Sequence, residues 1–330
     1  MTTYLLIDLA NTYFRARHSA HRGTTTEERV AFAIHVTLSS VNRCWRDRQA
    51  QHAVFLNEGR SWRKDFYPPY KRNRTEQRAA MSSKDAAEDQ AFWTGLDQLK
   101  LFLTEHTNCT VLRHPELEAD DLIAGFIDLH PNDDHIIIST DSDFHQLLSE
   151  NTQQYNGITD ELHTIHGIKD RKNRLVVDKK TQQPKKPPEP AWLLFEKCMR
   201  GDSSDNVFSA CPGVRLKGTK NRVGLLEAYA DRHKKGYAWN NLMLSRWLDA
   251  DGQEHRVLDD YQRNQQLIDL RAQPPIIKQK ITHTVTQGCV PKNSPQIGSH
   301  FLRFCGRFDL QKLSEQSQNY AEIFTAAYTA

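Results

Sequence analysis

Two short runs of this chain are apolar at every position and lead straight into acids. Tyr4, Leu5, Leu6 and Ile7 close on Asp8 within an expected strand Tyr4–Leu9; Ile136, Ile137 and Ile138 lie within an expected strand His135–Thr140 that is followed by Asp141 and Asp143. A strand with no polar face has no solvent side, so it must lie between layers, as strands do in a parallel sheet covered by helices on both faces. His52–Leu56 and Cys109–Leu112 read as further strands. Helical spacing joins Val30, Ile34, Leu38, Val41 and Trp45, then Phe92, Leu96, Leu99 and Leu103, then Leu122, Ile123, Phe126 and Ile127. The pattern predicts an α/β fold with a central, mostly parallel sheet flanked by helices. Ligands of such sheets collect beyond the carboxyl ends of the strands, where Asp8 and Asp141 fall.

The chain of 330 residues has room for one large α/β domain and an appendage. The expected division is 1–190 for the α/β core, with a basic insertion at about 60–85, and 191–330 for a helical region. Lys179–Pro190 (KKTQQPKKPPEP) reads as an extended surface loop. Beyond it the spacing predicts a helix from Ala191 to Arg200, a glycine-containing turn over Pro212–Gly218, a helix near Val223–Ala230, a helix through Trp239, Leu242, Met243 and Trp247, and a helical tail over Tyr320–Tyr328.

A net charge of +3 hides strong segregation. Arg60, Arg63, Lys64, Lys71, Arg72, Arg74 and Arg78 face only Asp65 and Glu76 within 60–78. Further basic stretches run over Lys169–Lys186 and Arg215–Lys235. Such stripes suit a grip on a polyanion, and they also suit plain solvated faces. The six cysteines form no C-x-x-C pair, which excludes a zinc knuckle or dithiol redox motif. The histidines, His18, His35 and His145 among them, lack zinc-like spacing and read as core or surface residues. No N-terminal secretory pattern and no membrane-length apolar run is present, so a reducing, cytoplasmic setting is expected.

The remaining acids cluster as Glu118, Asp120 and Asp121 in ELEADDLIAGF and as Asp202 and Asp205 in RGDSSDN. Each has an ordinary structural reading. Asp8 suits a helix N-cap, as does Ser142 or Asp143 before Phe144, Leu147 and Leu148; Glu118 and Asp121 suit a first helical turn, and Asp202 and Asp205 suit a polar turn. If the chain stays extended past Asp141, Asp141 and Asp143 project to one face. Carboxylates at strand ends repel one another unless something compensates them, and magnesium, a hard cation preferring oxygen, is the natural compensation. Two such ions about 4 Å apart both activate a water and stabilise a leaving oxygen, which points to phosphodiester hydrolysis.

The segments LLIDLANTYFRA (5–16), WRKDFYPPYKRNR (62–74), ELEADDLIAGF (116–126), IISTDSDFHQLL (137–148) and MRGDSSDNVFSACPGV (199–214) occur in an order that resembles the 5′-nuclease superfamily: flap endonucleases, the 5′-nuclease domains of bacterial DNA polymerases, and phage ribonuclease H enzymes. WRKDF and YKRNR place it nearest the last group. The resemblance implies a PIN-like nuclease core with a basic helical arch and a C-terminal helical region carrying a helix-turn-helix-type DNA-binding element. It implies a first metal site from Asp8, Glu118, Asp120 and Asp141, a second completed or supported by Asp143, Asp202 and Asp205, and Asp121 binding directly or through water. Lys71 would reach the scissile phosphate, beside Asp8 and Asp141 as the catalytic residues, and Tyr70 would stack on an unpaired nucleotide. Arg60, Trp62, Arg63, Lys64, Tyr70, Lys71, Arg72, Arg74 and Arg78 would contact nucleic acid in the arch, and Arg215, Lys217, Lys220 and Arg222 would grip the duplex. The implied cofactor is Mg2+, with Mn2+ substituting, in two ions. Implied partners are DNA with 5′ flaps or ends, RNA–DNA hybrids, and a single-strand-binding protein or polymerase of a replication machinery. A monomer in the cytoplasm is expected, including that of a host cell were the protein phage-encoded.

Two departures stand out. The family's usual aspartate after the second strand is replaced by Asn57, with Glu58 beside it as an alternative ligand. The compact Gly-x-Gly turn that follows Pro-Gly-Val in the family reads Arg215-Leu216-Lys217-Gly218-Thr219-Lys220 here, which puts the family's potassium-assisted duplex grip in question and leaves direct phosphate contacts by Lys217, Lys220 and Arg222. Competing functions are a PIN-type ribonuclease, opposed by the long basic insert and the G-D-x-x-D-N segment, and a catalytically weakened junction-binding protein, motivated by Asn57.

Overall fold

The computed structural model describes residues 1–15, 17 and 25–329; Ala16, at the end of the first motif, and His18 lie outside the described residues. The chain divides into two compact units: Met1–Ser61, Ala80–Pro188 and Ile276–Ala330 form the first, and Trp62–Ala79 with Glu189–Pro275 form the second. This division differs from a cut in chain order at residue 190, because residues 276–330 fold with the sheet and residues 62–79 with the later helices.

The first unit is built on a seven-stranded sheet: β1 Thr3–Asp8, β2 His52–Asn57, β3 Thr110–Arg113, β4 Asp134–Ile138, β5 Thr152–Asn156, β6 Glu161–Thr164 and β7 Gly167–Lys169. The order is β3-β2-β1-β4-β5-β6-β7, with parallel pairing from β3 to β5 and antiparallel pairing thereafter. The chain moves outward from β1 through β2 to β3, then returns as β4 on the other side of β1. That reversal makes the β1–β4 gap the place where connections part and leave a crevice.

The apolar runs do what their composition demands. Leu5, Leu6 and Ile7 are fully buried, each stabilising the fold by about 1.5–3 kcal/mol. Alternate residues face opposite layers. Leu5 and Ile7 join a core with Ile34 and Leu38 of the helix Thr26–Arg48, Phe92 and Leu96 of Ser83–His106, Phe301 of Ile297–Arg307 and Phe324 of Ser317–Thr325. Tyr4 meets Phe126 of the helix Ala119–Leu129, ring centroids 5.0 Å apart. A β-carbon at Gly125 on that helix would fall 2.0 Å from Ile281, so only glycine lets the neighbouring helix Pro275–Gly288 approach. None of the described cysteines is in a disulfide. No described helix is long and apolar enough to cross a membrane.

The second unit contains the helices Arg63–Phe66, Arg72–Ala79, Pro190–Arg200, Leu225–Asp231, Tyr237–Met243 and Val257–Ile268, and a hairpin of β8 Arg246–Leu248 and β9 Glu254–Arg256. Phe195, Met199, Leu225, Ala228, Leu242, Met243 and Val257 form its core. The helix expected to run through Trp247 ends at Met243, and Trp247 lies on β8. Turn chemistry overrides the helical spacing here. Asp249 Oδ1 accepts from the amides of Asp251 and Gln253, and Gly252 takes a left-handed φ of 79°, which closes a hairpin.

Candidate active site

At the carboxyl end of β1, Asp8 is 4% exposed. Its Oδ1 accepts from the Asn11 amide at 3.1 Å, capping the helix Leu9–Phe14, and its Oδ2 accepts from Ser139 Oγ at 3.0 Å. Ser139 follows β4, and its Oγ also accepts from the Asp141 amide at 3.1 Å. One serine therefore ties the acids at the ends of two adjacent strands. Asn11 Oδ1 accepts from Thr140, from its amide at 2.9 Å and its hydroxyl at 3.0 Å. From β5, Gln154 Nε2 donates to the carbonyls of Ser139 (3.0 Å) and Asp141 (2.6 Å).

Asp141 caps a short 3-10 helix, Ser142–Leu147, with its Oδ1 2.9 Å from the Asp143 amide. The extended path that would have set Asp141 and Asp143 on one face is not taken, because the cap turns the chain at Ser142. His145 on this turn is hydrogen-bonded to His163 of β6, Nε2 to Nδ1, at 2.8 Å. Burial first, then the neighbouring His163, push the His145 imidazole down to about 4.

Glu118 and Asp121 are buried at the start of Ala119–Leu129, with Asp120 half-buried between them. Asp121 Oδ2 accepts from the Glu118 amide at 3.2 Å, and Glu118 Oε2 accepts from Ser61 Oγ at 2.7 Å. The segment after β2 is pinned to the loop before Glu118: the Gly59 amide donates to Leu117 O and the Arg60 amide to Pro115 O. A β-carbon at Gly59 would lie 2.0 Å from His114 O, so glycine is what lets Ser61 reach Glu118. Asn57 closes β2, 2% exposed, and its Oδ1 has no hydrogen-bond partner. Glu58 beside it is half-buried.

In the second unit, Asp205 collects cations and a phenol. Its Oδ2 accepts from Tyr70 OH at 2.9 Å and lies 3.5 Å from Lys71 Nζ, while Oδ1 accepts from Arg74 at 2.6 Å. Lys71 takes a left-handed φ of 53° and donates its amide to Asp205 O at 2.8 Å. Asp202 holds the turn through the Ser204 amide (2.9 Å) and hydroxyl (2.6 Å) and pairs with Lys197 Nζ at 2.8 Å. Burial raises the Asp202 carboxyl, but Lys197 and Ser204 more than offset this and hold it below the usual range.

The basic stretch is not uniformly a surface, which corrects the expectation for three of its residues. Trp62, Arg63 and Tyr70 are buried, 6%, 1% and 4% exposed. Arg63 Nε donates to Leu267 O at 2.8 Å, and its guanidinium lies 4.8 Å from the Trp62 ring centroid. These side chains are structural in this conformation, since a buried guanidinium needs such partners. Arg60, Arg72, Arg74 and Arg78 are exposed, with Lys64 and Lys71 half-buried. Around residue 215, Glu227 accepts from the amides of Gly218 and Gly224 and shapes the turn. Arg215, Lys217, Lys220 and Arg222 are exposed there. Arg215 and Arg222 border a concavity of about 670 Å³ together with Arg246 and Trp247.

Sequence reading missed Ser61, Ser139, Asn11 and Gln154. Ser139 alone left a trace, sitting between a strand and an acid; the other three act across 57, 129 and up to 15 positions of chain.

Among the described residues, no three His, Cys, Asp or Glu side chains are gathered closely enough to hold a metal ion. The chemistry of the donors nevertheless fits a hard cation. The buried groups at the carboxyl ends of β1 and β2 and at the start of Ala119–Leu129 offer only oxygen, including the unpartnered Asn57 Oδ1.

Sheet order and the position of these acids define the class: a parallel α/β protein with carboxylates at the crevice beside its first strand. The profile described as 5′-3′ exonuclease, N-terminal resolvase-like domain, matches residues 3–180. The chain belongs to this 5′-3′ exonuclease family. It is 33% identical over 162 residues to the flap endonuclease Xni of Psychromonas ingrahamii, a match covering 47% of this chain and 56% of that relative's length. It is 25% identical over 231 residues to the flap endonuclease of Escherichia phage T5, covering 69% of this chain and 70% of that one. A solved structure of T5 5′-exonuclease with bound divalent zinc ions shares the fold, with a TM-score of 0.59 and 20% identity over 87% of this chain and 99% of that one.

Proposed function

We propose that this chain is a divalent-metal-dependent 5′-nuclease that hydrolyses phosphodiesters at 5′ flaps and ends of DNA and removes RNA from RNA–DNA hybrids. The observation that carries the reading is the Ser139-bridged pair of Asp8 and Asp141 at the strand reversal, inside the segment that matches the family. Asp8, Glu118, Asp120, Asp121, Asp141 and Asp143 are the residues proposed to hold metal, with Asn57 Oδ1 or Glu58 filling the place of the missing aspartate and Asp202 and Asp205 as further ligand candidates. Bound Mg2+ or Mn2+, in two ions, would supply the charge that makes a water nucleophilic and stabilises a leaving oxygen. The protein's own part is positional. Ser139 holds the Asp8 carboxylate and, with Gln154, the backbone at Asp141, and Ser61 orients Glu118. Lys71, set by the hydrogen bond that its backbone amide donates to Asp205 O, offers an ammonium to the negative charge that develops on the phosphate. Exposed Arg60, Arg72, Arg74, Arg78, Arg215, Lys217, Lys220 and Arg222 bind backbone phosphates without reading sequence.

The test is cleavage of 5′-labelled flap, nicked-duplex and RNA–DNA substrates with and without magnesium. Asp141→Asn should abolish cutting and leave substrate binding largely intact; undiminished cutting by that variant defeats the assignment. Asn57 favours a second reading, a junction-binding protein of weakened turnover. Tight flap binding with no product in either magnesium or manganese selects it.

A further inference from the structure

The segment from Gly167 to Pro188 takes no part in the acidic site, yet it is well organised. After β7 the chain turns at Asp170–Arg174, so that Leu175 pairs with Lys169 and the Val176 amide donates to Ile168 O at 2.8 Å. It turns again at Asp178–Gln183, bringing Pro184 against Val177 and the Lys185 amide onto Val176 O at 2.8 Å. The result is a two-turn ribbon that extends the edge of the sheet.

Both acids of the ribbon build its turns. Asp170 Oδ1 accepts from the amides of Lys172 and Arg174, and Asp178 Oδ1 from the amides of Lys180 and Thr181, all at 2.9 Å. Against these two stand eight lysines and arginines. Arg171 pairs with Asp47, Arg174 with Asp170 and Lys185 with Glu161. The other five, Lys169, Lys172, Lys179, Lys180 and Lys186, make no ion pair among the described residues, and all but Lys169 are exposed.

Edge strands are commonly blunted by lysine, but prolines at 184, 187 and 188 already remove the donors an added strand would need. Clustered like charges on a fixed ribbon repel one another and gain nothing locally. A polyanion reverses that sign, because each phosphate neutralised releases condensed counterions. We propose that this ribbon binds nucleic acid in its own right, a sequence-independent seat for the phosphodiester backbone of duplex, separate from residues 60–78 and 215–222. The proposal rests on the nucleic-acid reading above. A duplex is favoured over a single strand because Lys172, Lys179 and Lys180 sit on hydrogen-bonded turns of a ribbon that extends the sheet, and an ordered array of charges suits a regular backbone.

The test is the quadruple variant Lys172→Gln, Lys179→Gln, Lys180→Gln and Lys186→Gln in the full chain, titrated against plain duplex, flap and single-stranded oligonucleotides at several salt concentrations without divalent metal. None of these side chains holds a turn, so the melting temperature should match wild type. The log–log salt dependence of duplex binding should become shallower by about 0.9 for each phosphate that a lysine no longer neutralises, roughly 3 to 4 in all, while cleavage at saturating flap stays unchanged. Wild-type protein that binds and cuts flap, beside a variant with an undiminished duplex slope, overturns the ribbon and spares the nuclease reading. A loss confined to single strands, or self-association of the variant with its slope intact, also overturns it. Wild-type protein that neither binds nor cuts defeats the nuclease reading instead.

Discussion

The two ends of the parallel sheet handle polar groups in opposite ways. At the carboxyl end, Asp8 and Asp141 are held by hydroxyl and amide donors, and Asp141 stays half-exposed. At the amino end, Tyr4 sits among His52, His130, His135, Phe126 and Tyr328, with ring centroids 5.0–6.2 Å away. The tail closes over that end: Ala326 O and Thr110 Oγ1 take the two nitrogens of His52, and Asn108 donates to Thr325 O. Burial drives His52 and His135 down to about 4, so both are neutral near pH 7. The carboxyl end gathers carboxylates, buried at Asp8 and half-exposed at Asp141, and the amino end holds neutral rings. On the proposed function, chemistry belongs to the first end and stability to the second, and that contrast can be broken at either end.

The largest effect is expected at the acidic end. Asp8→Asn keeps a good helix cap, since asparagine caps as well as aspartate. It removes a charge, and because its amide has a single acceptor oxygen it keeps only one of the two bonds that Asp8 accepts from the Asn11 amide and from Ser139. Flap cleavage in magnesium should fall by roughly 10²–10³ or more, with the thermal midpoint within a few degrees of wild type. A large drop in both would mean that Asp8 is chiefly structural.

Next in size is the pH response of the histidine end. Each of the two histidines binds its proton near pH 6.5 when unfolded and near pH 4 when folded. The unfolded state therefore takes up more protons between those values, so stability is full above about pH 6.5 and is lost as pH falls toward 4, by roughly 3 kcal/mol per histidine at most. Neither ring nitrogen of His135 has a partner, so His135→Phe should flatten part of the acid limb, to which His52 and His145 also contribute, at little cost at pH 7. His52→Phe strips the bonds to Thr110 and Ala326 and should destabilise at every pH. Denaturant midpoints measured from pH 4 to 8 separate the two. An identical acid limb in His135→Phe would falsify the assignment.

How much of this was legible beforehand follows from where the information resides. β1, β2 and β4 are written in local composition, and the acids at their ends could be placed because a strand end is a local event. The capping readings of Asp8, Glu118–Asp121 and the 202–205 turn were likewise visible, and the structure realises them without displacing the family resemblance. Ser61, Gln154 and the burial of Arg63 were not legible, because each depends on a partner far along the chain that no local pattern announces. Trp247 was misread for a related reason: Asp249 and Gly252 fix a turn more firmly than apolar spacing propagates a helix.

Asn57 offers a smaller, signed effect that sharpens the contrast. Its Oδ1 is already a buried acceptor without a donor. Asn57→Asp places a charge there, which should destabilise the metal-free protein by about 1–3 kcal/mol. Manganese should reverse the sign, with binding tightened and the melting temperature raised by more than in wild type. Melting curves with chelator and with manganese read both arms. A variant destabilised equally in both would place Asn57 outside the metal's reach.

The smallest change tests the bridge itself. Ser139 Oγ donates to Asp8 and accepts from the Asp141 amide, so Ser139→Ala removes two bonds. About 1 kcal/mol of stability should be lost. If the serine acts by orienting the acids, manganese affinity measured by calorimetry should fall by roughly tenfold or somewhat more, and Ser139→Thr should recover part of it where the extra methyl fits. A stability loss of that size with unchanged metal affinity would make Ser139 a fastener of β1 to β4 and nothing more, and the carboxyl end would then resemble the amino end more closely than its charges suggest.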